Sequence, residues 1–420
     1  MKLAPGTPLS IAIAFDPDKP RLPVGRLAMD AGLAQLEWSP QVVARKLAVA
    51  GILYPPEAGL QPARGRAFDG LHGFLADSLP EGWGHLLMRK RLAKLGVDIA
   101  SLTPLERLAL VGDHGRGALV FEPSTTPPEN VETLDLDLLA EEATALLNGE
   151  EGQLADTLAG LAGGSGGARP KVHVGFDGRG AISVGEGEIA PGHAAWIVKF
   201  PALEDPIDIG PIEEAYASMA EAAGLTLSPH RLIEAKNGPG YFATRRFDRP
   251  DGGGRLHMIS LAGAIEAPSN VPSTSYDMFL RATRSLTRRA DDVAAAFRRM
   301  VFNVLASNRD DHTRQHAYLM TPDGDWTLAP AYDLTYSPGP GGEHYMDIAG
   351  EGRRPARSHV TALGEQHGFS AKQISVVIEE VRAAVAEWPG FARASGVSAA
   401  SAKMIGDAHA KVQTDFEPNR

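Results

Sequence analysis

A lysine inside an apolar run is the first residue whose type and position could do chemistry. Lys199 interrupts the run that extends from Trp196 to Phe200. A buried ammonium group is costly unless an anion accompanies it, so Lys199 could grip phosphate groups with Glu213 or Glu214 as its acidic partner. The alternative is a lysine on the solvent face of an edge strand.

The segment after the apolar stretch 301–306 contains residues of the types found in a kinase catalytic loop. Asp310 and Gln315 are five positions apart, the spacing between the residue that accepts the substrate hydroxyl's proton and a polar residue that holds a metal ion. Asp311 and His312 adjoin Asp310. An acidic loop that caps a helix would explain the two carboxylates equally well, but it explains the histidine less well.

Two further features complete a possible nucleotide site. Residues 163–167 include four glycines, which allow backbone N–H groups to approach phosphate oxygens, and Lys171 follows closely. Asp333 lies after the catalytic segment, where a kinase has its magnesium-binding aspartate. Taken singly, these are a flexible hairpin and a turn aspartate. The order of glycine loop, lysine, glutamate, catalytic aspartate and metal aspartate predicts phosphoryl transfer from a nucleoside triphosphate.

The elements that must position these residues are a mixture of strands and helices. Strand-like runs follow the glycine-rich segment, and one of them contains Lys199. An amphipathic helix precedes Asp310, and a strand, a turn and a second strand precede Asp333. The predicted strands are Val172–Phe176, Ala181–Val184, Trp196–Phe200 and Tyr241–Phe247, and the predicted helices include Glu213–Ala223, Asp291–Ala306, Ala371–Ala386 and Ser398–Gln413.

The chain divides near residues 125–150, where a run with three prolines resembles a linker and an acidic helix follows. Residues 1–125 are predicted to form an α/β unit with strands at Leu9–Phe15 and Ala118–Phe121 and a helix at Glu81–Leu95. Residues 126–150 would be a linker and helix. Residues 151–420 would form the catalytic region, with a nucleotide lobe at about 151–250 and a helical lobe at about 255–420.

Composition excludes several classes of function. The chain has 420 residues, 43% of them hydrophobic, which is typical of a soluble globular protein and excludes a fibrous or disordered one. It has no cysteine, which excludes disulfides, thiolate metal sites and a catalytic thiol. Its net charge of −11 makes it a poor DNA binder by itself. No apolar run approaches about 20 residues and no signal peptide is evident, so we expect a cytoplasmic protein without membrane contact.

Three minor features are given ordinary structural interpretations. The glycines at 112, 115 and 117 are predicted to form a tight turn rather than a phosphate loop, because their spacing fits no nucleotide-binding pattern. Phe297 and Met300 are predicted to be core residues. The arginines at 281–289 and 298–299 are predicted to form a solvated helix face, with a docking surface for an acidic protein or DNA as the alternative.

Several motifs, taken together over nearly the whole chain, resemble the HipA-type serine/threonine kinases, the toxin components of bacterial toxin–antitoxin modules. Two segments resemble the N-terminal subdomain of this family, Phe74–Gly82 and Val111–Leu119. Five segments resemble its kinase core: Gly166-Gly167-Ala168-Arg169-Pro170-Lys171, Trp196–Pro201, Arg246–Arg249, Asp310–His312 and Pro330–Asp333.

The resemblance implies a role for each matching residue. Gly166 to Lys171 would form the phosphate loop, and Lys199 would contact the phosphates of ATP. Arg245, Arg246 and Phe247 would lie at the hinge against the adenine, and Tyr332 would also contact the nucleotide. Asp310 would be the catalytic base with His312 beside it, and Asp333 would hold Mg²⁺.

One position departs from the family's pattern. Gln315 stands where the family usually has asparagine, so its amide oxygen would reach the nucleotide-bound Mg²⁺ through one additional methylene. Ser165 lies among the glycines, and because family members can autophosphorylate a serine at this loop, it is the candidate for that modification. The alternative is a small polar residue that serves loop flexibility.

The resemblance predicts a fold and a function. We expect a small N-terminal α/β subdomain packed on a protein-kinase-like core, with a β-rich nucleotide lobe and a helical C-terminal lobe. We expect phosphorylation of a cellular protein, a HipB-like antitoxin as a possible partner, and contact with DNA only through that partner. The alternatives are a catalytically weak kinase-fold module that acts with an antitoxin as a co-repressor, and a small-molecule kinase.

Overall fold

The computed structural model describes residues 3, 6–125, 135–150, 152, 154–162, 166–184, 189–251 and 253–417. Ser165 and the glycines at 163 and 164 therefore lie outside the described residues. Within the described ranges, no helix is long and apolar enough to cross a membrane.

The first part of the chain contains a five-stranded antiparallel sheet in the order β4-β3-β2-β1-β5. Its first strand buries Leu9, Ile11 and Ile13, whereas Ser10 is exposed and Ala12 is partly exposed, the period-two pattern of a sheet with one buried face. This strand pairs with the next one in antiparallel fashion, with Leu27 opposite Leu9. The strands are β1 (Leu9–Ile13), β2 (Leu22–Asp30), β3 (Leu33–Trp38), β4 (Leu60–Pro62) and β5 (Leu119–Glu122).

Four helices accompany this sheet. The start of the fourth is fixed by a capping box, in which Thr103 and Glu106 satisfy each other's backbone N–H groups. The glycines at 112–117 form the predicted turn, and the N–H of Gly117 donates to Asp248 Oδ2 at 2.8 Å. The helices are α1 (Pro40–Arg45), α2 (Gly73–Ala76), α3 (Gly82–Lys94) and α4 (Pro104–Val111).

A second five-stranded antiparallel sheet, in the order β7-β6-β8-β10-β9, forms the β-rich lobe. Lys171 lies directly opposite Lys199 on neighbouring strands of this sheet. The elements of this part are α5 (Leu136–Leu147), α6 (Ala155–Ala162), β6 (Lys171–Phe176), β7 (Ile182–Val184), β8 (Ala194–Lys199), α7 (Ile209–Ala222), β9 (His230–Ala235) and β10 (Gly238–Arg245).

The remainder of the chain is mainly helical. Strands β11, β13 and β14 form a three-stranded sheet, and β12 pairs with β15 in parallel. The elements are β11 (His257–Ser260), α8 (Leu261–Ile265), β12 (Thr274–Ser275), α9 (Tyr276–Thr287), α10 (Ala290–Leu305), β13 (Ala317–Met320), β14 (Trp326–Leu328), β15 (Met346–Asp347), α11 (Arg357–Gln366), α12 (Ala371–Ala386), α13 (Trp388–Ala394) and α14 (Ala399–Phe416). The predicted class, mixed α/β with a β-rich lobe and a helical lobe, is confirmed.

Two apolar clusters join the parts of the chain. The larger cluster contains Leu9 of the first sheet together with Tyr216 of α7 and Phe302 of α10. The smaller contains Trp83 and Leu87 of α3 packed with residues of α5, α6 and the second sheet. The first part of the chain is therefore packed on both lobes. The boundary near residues 125–150 stays a prediction.

Three local predictions need correction. Helix α7 begins at Ile209, earlier than predicted, because Pro211 is compatible with a first helical turn, where backbone N–H groups have no partner in the helix. Strand β10 ends at Arg245, because Arg246 turns inward to an ion pair with Asp248. The solvated face is wrong for Arg299, which is 4% exposed and donates to a backbone carbonyl. Phe297 and Met300 are core residues, as predicted.

Candidate active site

Lys199, the last residue of β8, reaches two carboxylates. Its Nζ donates to Glu213 Oε1 at 3.1 Å and to Asp333 Oδ1, and 10% of its side chain is exposed. The interpretation of Lys199 as a lysine with anionic partners is therefore confirmed, and Glu213 on α7 is the acid. Glu214, the other candidate, pairs instead with His230 at 2.9 Å.

The charges of Lys199 and Asp333 stabilise each other. Burial alone would lower the pKa of Lys199, but the carboxylates of Asp333 and Glu213 outweigh it and raise the pKa. Burial would likewise raise the pKa of Asp333, but Lys199 and Lys171 hold it well below its usual range. Asp333 also has φ +57°, in the left-handed region that non-glycine residues seldom adopt. Such backbone strain is concentrated at functional sites.

Lys171 adds a second positive charge to the same place. Its Nζ donates to the carbonyl of Gly166, and its backbone lies opposite Lys199 across the sheet. Burial lowers the pKa of Lys171 to about 8, with Asp333 opposing and Lys199 reinforcing that shift. Like charges on directly opposed residues destabilise a sheet. An anion that contacts both ammonium groups would remove this repulsion, so the pair is suited to phosphate groups.

The catalytic-loop residues meet Asp333 through an amide. Gln315 Nε2 donates to Asp333 Oδ2 at 3.2 Å and lies 3.4 Å from Asp310 Oδ2. Asp310 is half-exposed, and His312 Nε2 lies 3.9 Å from its Oδ1. Burial raises the pKa of Asp310, Asp333 raises it further, and His312 opposes the increase. Asp310 is thus a stronger base than an ordinary aspartate.

Asp311, the neighbouring carboxylate, has a different role. It is 0% exposed and accepts hydrogen bonds from the hydroxyl of Tyr276 at 2.7 Å, the N–H of Tyr345 at 2.8 Å and His344 Nδ1 at 2.8 Å. Burial would raise the pKa of Asp311, but His344 and Tyr276 outweigh it and lower the pKa. Asp311 therefore holds the loop in place, whereas Asp310 is the carboxylate available to a substrate.

Arg169, which lies between the glycines and Lys171, is held by two acidic side chains. Arg169 Nε donates to both carboxylate oxygens of Asp205, at 2.9 and 3.1 Å, and its Nη1 donates to Glu213 Oε1 at 2.7 Å. Pro170 is buried, and its carbonyl accepts from the N–H of Phe200 at 2.8 Å. Gly167 and Ala168 are exposed. Arg169 thus orients the glutamate that Lys199 contacts, a role that the sequence did not predict.

The residues expected at the adenine differ in whether their side chains could contact a nucleotide. The rings of Phe247 and Tyr332 lie 5.5 Å apart, and the Tyr332 hydroxyl donates to the carbonyl of Arg314 at 2.5 Å. Arg245 forms an ion pair with an exposed aspartate, Asp251. Arg246 is 5% exposed and donates to both oxygens of Asp248, at 3.0 and 2.9 Å. The Arg246 side chain is therefore structural and is not available to a nucleotide.

Three residues of the first part of the chain reach this site. The N–H of Trp83 donates to the Gly167 carbonyl at 3.1 Å, and its Nε1 donates to the Lys171 carbonyl at 3.1 Å. Arg116 lies against Gly166, where an added Cβ would be 2.8 Å from Nη1.

Glu81 forms an ion pair with Arg314 of the catalytic loop. No local pattern in the sequence shows these contacts, because the partners are at least 50 residues apart along the chain. The glycines on either side of Trp83 are the local sign of a close backbone approach.

The oxygen atoms of this site suit a magnesium ion. Among the described residues, no group of three histidine, aspartate or glutamate side chains could hold a metal. Here two carboxylates, Asp310 and Asp333, are joined by the amide of Gln315. Turning this amide would present its oxygen beside the carboxylates, which gives the all-oxygen set that Mg²⁺ prefers.

Two family models match the chain. Residues 20–122 match the HipA N-terminal domain, and residues 163–388 match the HipA-like C-terminal domain. No curated protein matches the chain at a significant level.

Two solved structures are similar to this one. HipA from Shewanella oneidensis MR-1, determined in a toxin–antitoxin complex with HipB and operator DNA, is 16% identical with a TM-score of 0.68, over 97% of this chain and 96% of that chain. The proinflammatory kinase CtkA from Helicobacter pylori is 11% identical with a TM-score of 0.37, over 55% of this chain and 87% of that chain. The match of the C-terminal model to more than half of the sequence, together with the N-terminal match, shows that the chain belongs to the HipA family.

Proposed function

We propose that the chain is an ATP- and Mg²⁺-dependent kinase that phosphorylates serine or threonine in a protein. The observation that carries this proposal is the convergence of three distant segments at one place. Lys199 of the second sheet contacts Asp333, and Gln315 links Asp333 to Asp310 of the catalytic loop. A cation, a general base and a set of oxygen ligands thus lie together, as phosphoryl transfer requires.

Nucleotide binding would use the positive charges and the aromatic pair. Lys171 and Lys199 would contact phosphate oxygens, assisted by the backbone N–H groups of Gly166, Gly167 and Ala168. Phe247 and Tyr332 would lie against the adenine. Trp83 supports this arrangement, because its two hydrogen bonds hold the carbonyls of Gly167 and Lys171.

The chemical step would be one displacement at phosphorus. The carboxylate of Asp310 accepts the proton of the substrate hydroxyl, whose oxygen then bonds to the γ-phosphorus. The bond between the γ-phosphorus and the bridging oxygen breaks, and ADP leaves with that electron pair. Lys199 stabilises the negative charge of the phosphoryl group. Mg²⁺ held by Asp333 and Gln315, with Asp310 nearby, would neutralise further phosphate charge.

We also propose a HipB-like antitoxin as partner. The similar Shewanella structure contains HipB and operator DNA as well as HipA. With a net charge of −11, this chain would reach DNA through such a partner rather than directly. Coexpression with the product of a neighbouring gene and purification of the pair tests the proposal. A neighbour that fails to bind would contradict it.

We also propose that the protein is cytoplasmic.

Ser165 remains our candidate for autophosphorylation. A phosphate there would add close to two negative charges beside a loop suited to the phosphates of ATP, and would oppose nucleotide binding. Intact mass and peptide mapping after incubation with ATP and Mg²⁺ would locate the phosphate. A modification that maps to another residue removes Ser165 from this role.

A catalytically weak module that acts with an antitoxin as co-repressor is the second candidate function. The amide of Gln315 favours it, because the longer side chain donates an N–H to Asp333, which would hold the metal, and to Asp310. A magnesium titration of wild type, Gln315→Asn and Gln315→Ala separates the two functions. A kinase should keep or gain activity with asparagine and need more Mg²⁺ with alanine. Three identical titrations would remove Gln315 from the site.

Radiolabelled ATP with the pure protein tests the proposal as a whole. Label on a protein of a cell lysate, lost in Asp310→Asn, is the expected result. Label on a metabolite would indicate the small-molecule kinase instead. No transfer to any acceptor, with intact nucleotide binding, would favour the co-repressor.

A further inference from the structure

A cavity of about 750 Å³ lies in the first part of the chain. Its lining residues fall between Gly32 and Arg107, and none of them belongs to the candidate active site. The volume is within the range of about 300–1,000 Å³ that is typical of small-molecule sites.

Positive charge predominates in this cavity. Three arginines line it, Arg66, Arg89 and Arg107, against two aspartates, Asp69 and Asp98. Arg107 pairs with Asp69 at 2.7 Å, and Asp98 accepts from the backbone N–H of Ala100 at 3.0 Å. Within the described part of the chain, the side chain of Arg89 is exposed and makes no ion pair or hydrogen bond with protein groups.

The other two arginines are only partly engaged by protein acceptors. Arg66 is exposed and donates to the carbonyl of Ala31 at 3.3 Å. Among the described residues, no protein group accepts a hydrogen bond from the buried Nε of Arg107. Buried donors in folded proteins are nearly always satisfied, so an unsatisfied one indicates a missing acceptor. Burial lowers the pKa of His85, and the positive charges of Arg89 and Arg107 lower it further.

Part of the lining of the cavity is apolar. Ile99, Leu102 and Pro104 belong to it, and Ile99 and Leu102 are themselves buried. A ligand that matches this lining carries a multiply charged anionic group at the arginines and an apolar body against these residues. The planar donor forks of arginine match the oxygen atoms of a phosphate group well.

We propose that this cavity binds a small organic phosphate, and that the bound ligand increases the affinity of the candidate active site for nucleotide. The first half of the proposal stands on the cavity alone. The second half rests on the nucleotide-binding function proposed above.

Helix α3 connects the two places. His85 and Arg89 line the cavity, and Trp83 near the start of the same helix holds the carbonyls of Gly167 and Lys171. A phosphate bound between Arg89 of α3 and Arg107 of α4 would link these two helices. Fixing α3 would hold the glycine loop in its binding conformation, so nucleotide binding would require less ordering.

The binding half is tested by calorimetry on the full chain with phenyl phosphate as the probe and phenol as its uncharged counterpart. We expect phenyl phosphate to bind and phenol not to bind. Arg89→Gln should weaken phenyl phosphate binding roughly tenfold or more, since it removes a charged hydrogen bond. Lys94→Gln, which removes a charge from the same helix outside the cavity, should leave the affinity unchanged.

Lys199→Met tests whether phenyl phosphate binds at the candidate nucleotide site instead of in this cavity. It alters that site and no residue that lines the cavity, so it should also leave the affinity for phenyl phosphate unchanged. Equal affinity in wild type and Arg89→Gln would overturn the proposed site, as would loss of binding in Lys199→Met. Neither measurement uses nucleotide, so the binding half can succeed even where the proposed kinase function fails.

The coupling half is tested by the affinity for a fluorescent ATP analogue with and without saturating phenyl phosphate. We expect an increase of roughly fivefold or more in wild type and no change in Arg89→Gln. An affinity that phenyl phosphate leaves unchanged in wild type, in a protein that binds both ligands, would overturn the coupling. A wild type that binds no nucleotide would instead contradict the proposed function.

Discussion

Asp310 and Asp311 are adjacent carboxylates in the candidate catalytic loop, and their surroundings give them different properties. Asp310 is half-exposed and has a raised pKa, whereas Asp311 is buried among three donors and has a lowered pKa. Their types and positions in the sequence do not distinguish them. The contacts of Tyr276 and His344, which come from distant segments, make the difference.

Substituting each aspartate by asparagine separates these tasks. Asp310→Asn should abolish phosphoryl transfer while nucleotide affinity and melting temperature stay close to wild type, because it removes a proton acceptor from an open position. Asp311→Asn should lower the free energy of unfolding by about 1–3 kcal/mol, because an amide group would face buried donors. Transfer assays and thermal denaturation of both variants check this. Near-normal transfer by Asp310→Asn would show that the base is another residue.

The lowered pKa of Lys171 predicts a pH dependence of nucleotide binding. Lys171 loses its proton as the pH rises through about 8, and a bound phosphate would restore its charge. Nucleotide affinity should therefore fall as the pH rises through this value, and binding above it should take up a proton.

Calorimetry in buffers of different ionisation enthalpy measures this uptake. Lys171→Met should remove the proton uptake. Uptake that persists in this variant would assign the titration to another group.

The same pKa shift affects the stability of the fold. Between a pH of about 8 and a pH of 10.5, the unfolded chain binds more protons than the folded one. The free energy of unfolding should therefore rise with pH in that interval.

At the scale of elements, helix α3 connects the first part of the chain to the candidate active site. Its capping residue Glu81 pairs with Arg314, and Trp83 holds the glycine loop. Gly82 has φ +45°, and a Cβ there would lie 2.4 Å from the carbonyl oxygen of Gly167. A contact this close is possible only for glycine.

Gly82→Ala should therefore displace the end of the glycine loop and weaken nucleotide binding several-fold. Gly96→Ala is a matched control just beyond the other end of α3, since Gly96 also has a positive φ, +69°, but no atom within 4 Å of an added Cβ. Both variants carry a similar backbone strain of about 1 kcal/mol. Nucleotide affinity equal in the two variants would show that the contact with Gly167 does not matter.

At the scale of the whole molecule, Asp248 joins the first part of the chain to the rest. It accepts from the N–H of Gly117 and from Arg246 and Arg249. Burial would raise the pKa of Asp248, but the two arginines outweigh it and hold the pKa far below its usual range. A depressed carboxylate pKa contributes stability above the unfolded pKa, and this contribution is lost as the pH falls through the folded value.

Asp248→Asn should lower the free energy of unfolding by about 3 kcal/mol at neutral pH, because it removes a buried negative charge that Arg246 and Arg249 both contact. The loss should be smaller in acid, where the wild type also weakens. Asp251→Asn is the control, since this carboxylate pairs with Arg245 while 83% exposed, and it should have little effect. Urea denaturation at both pH values measures the difference. Equal stabilities of the two variants would contradict the role of Asp248.

The sequence by itself determined which residue types were present and in what order. Lys199, Asp310 and Asp333 were singled out by their immediate neighbours along the chain, and helices α10 and α12 by their apolar periodicity. These features are local, because a lysine in an apolar run or a helical repeat is visible within about ten residues. The family resemblance then supplied their roles.

Only the tertiary structure decided which of two equivalent neighbours did what. It chose Glu213 over Glu214, made Asp311 structural, and turned Arg246 inward to Asp248. It also brought Trp83 to the glycine loop. Each of these outcomes depends on burial, and on hydrogen bonds that mostly join parts of the chain far apart in sequence. No local pattern specifies such bonds, because their partners become neighbours only when the sheets and helices pack.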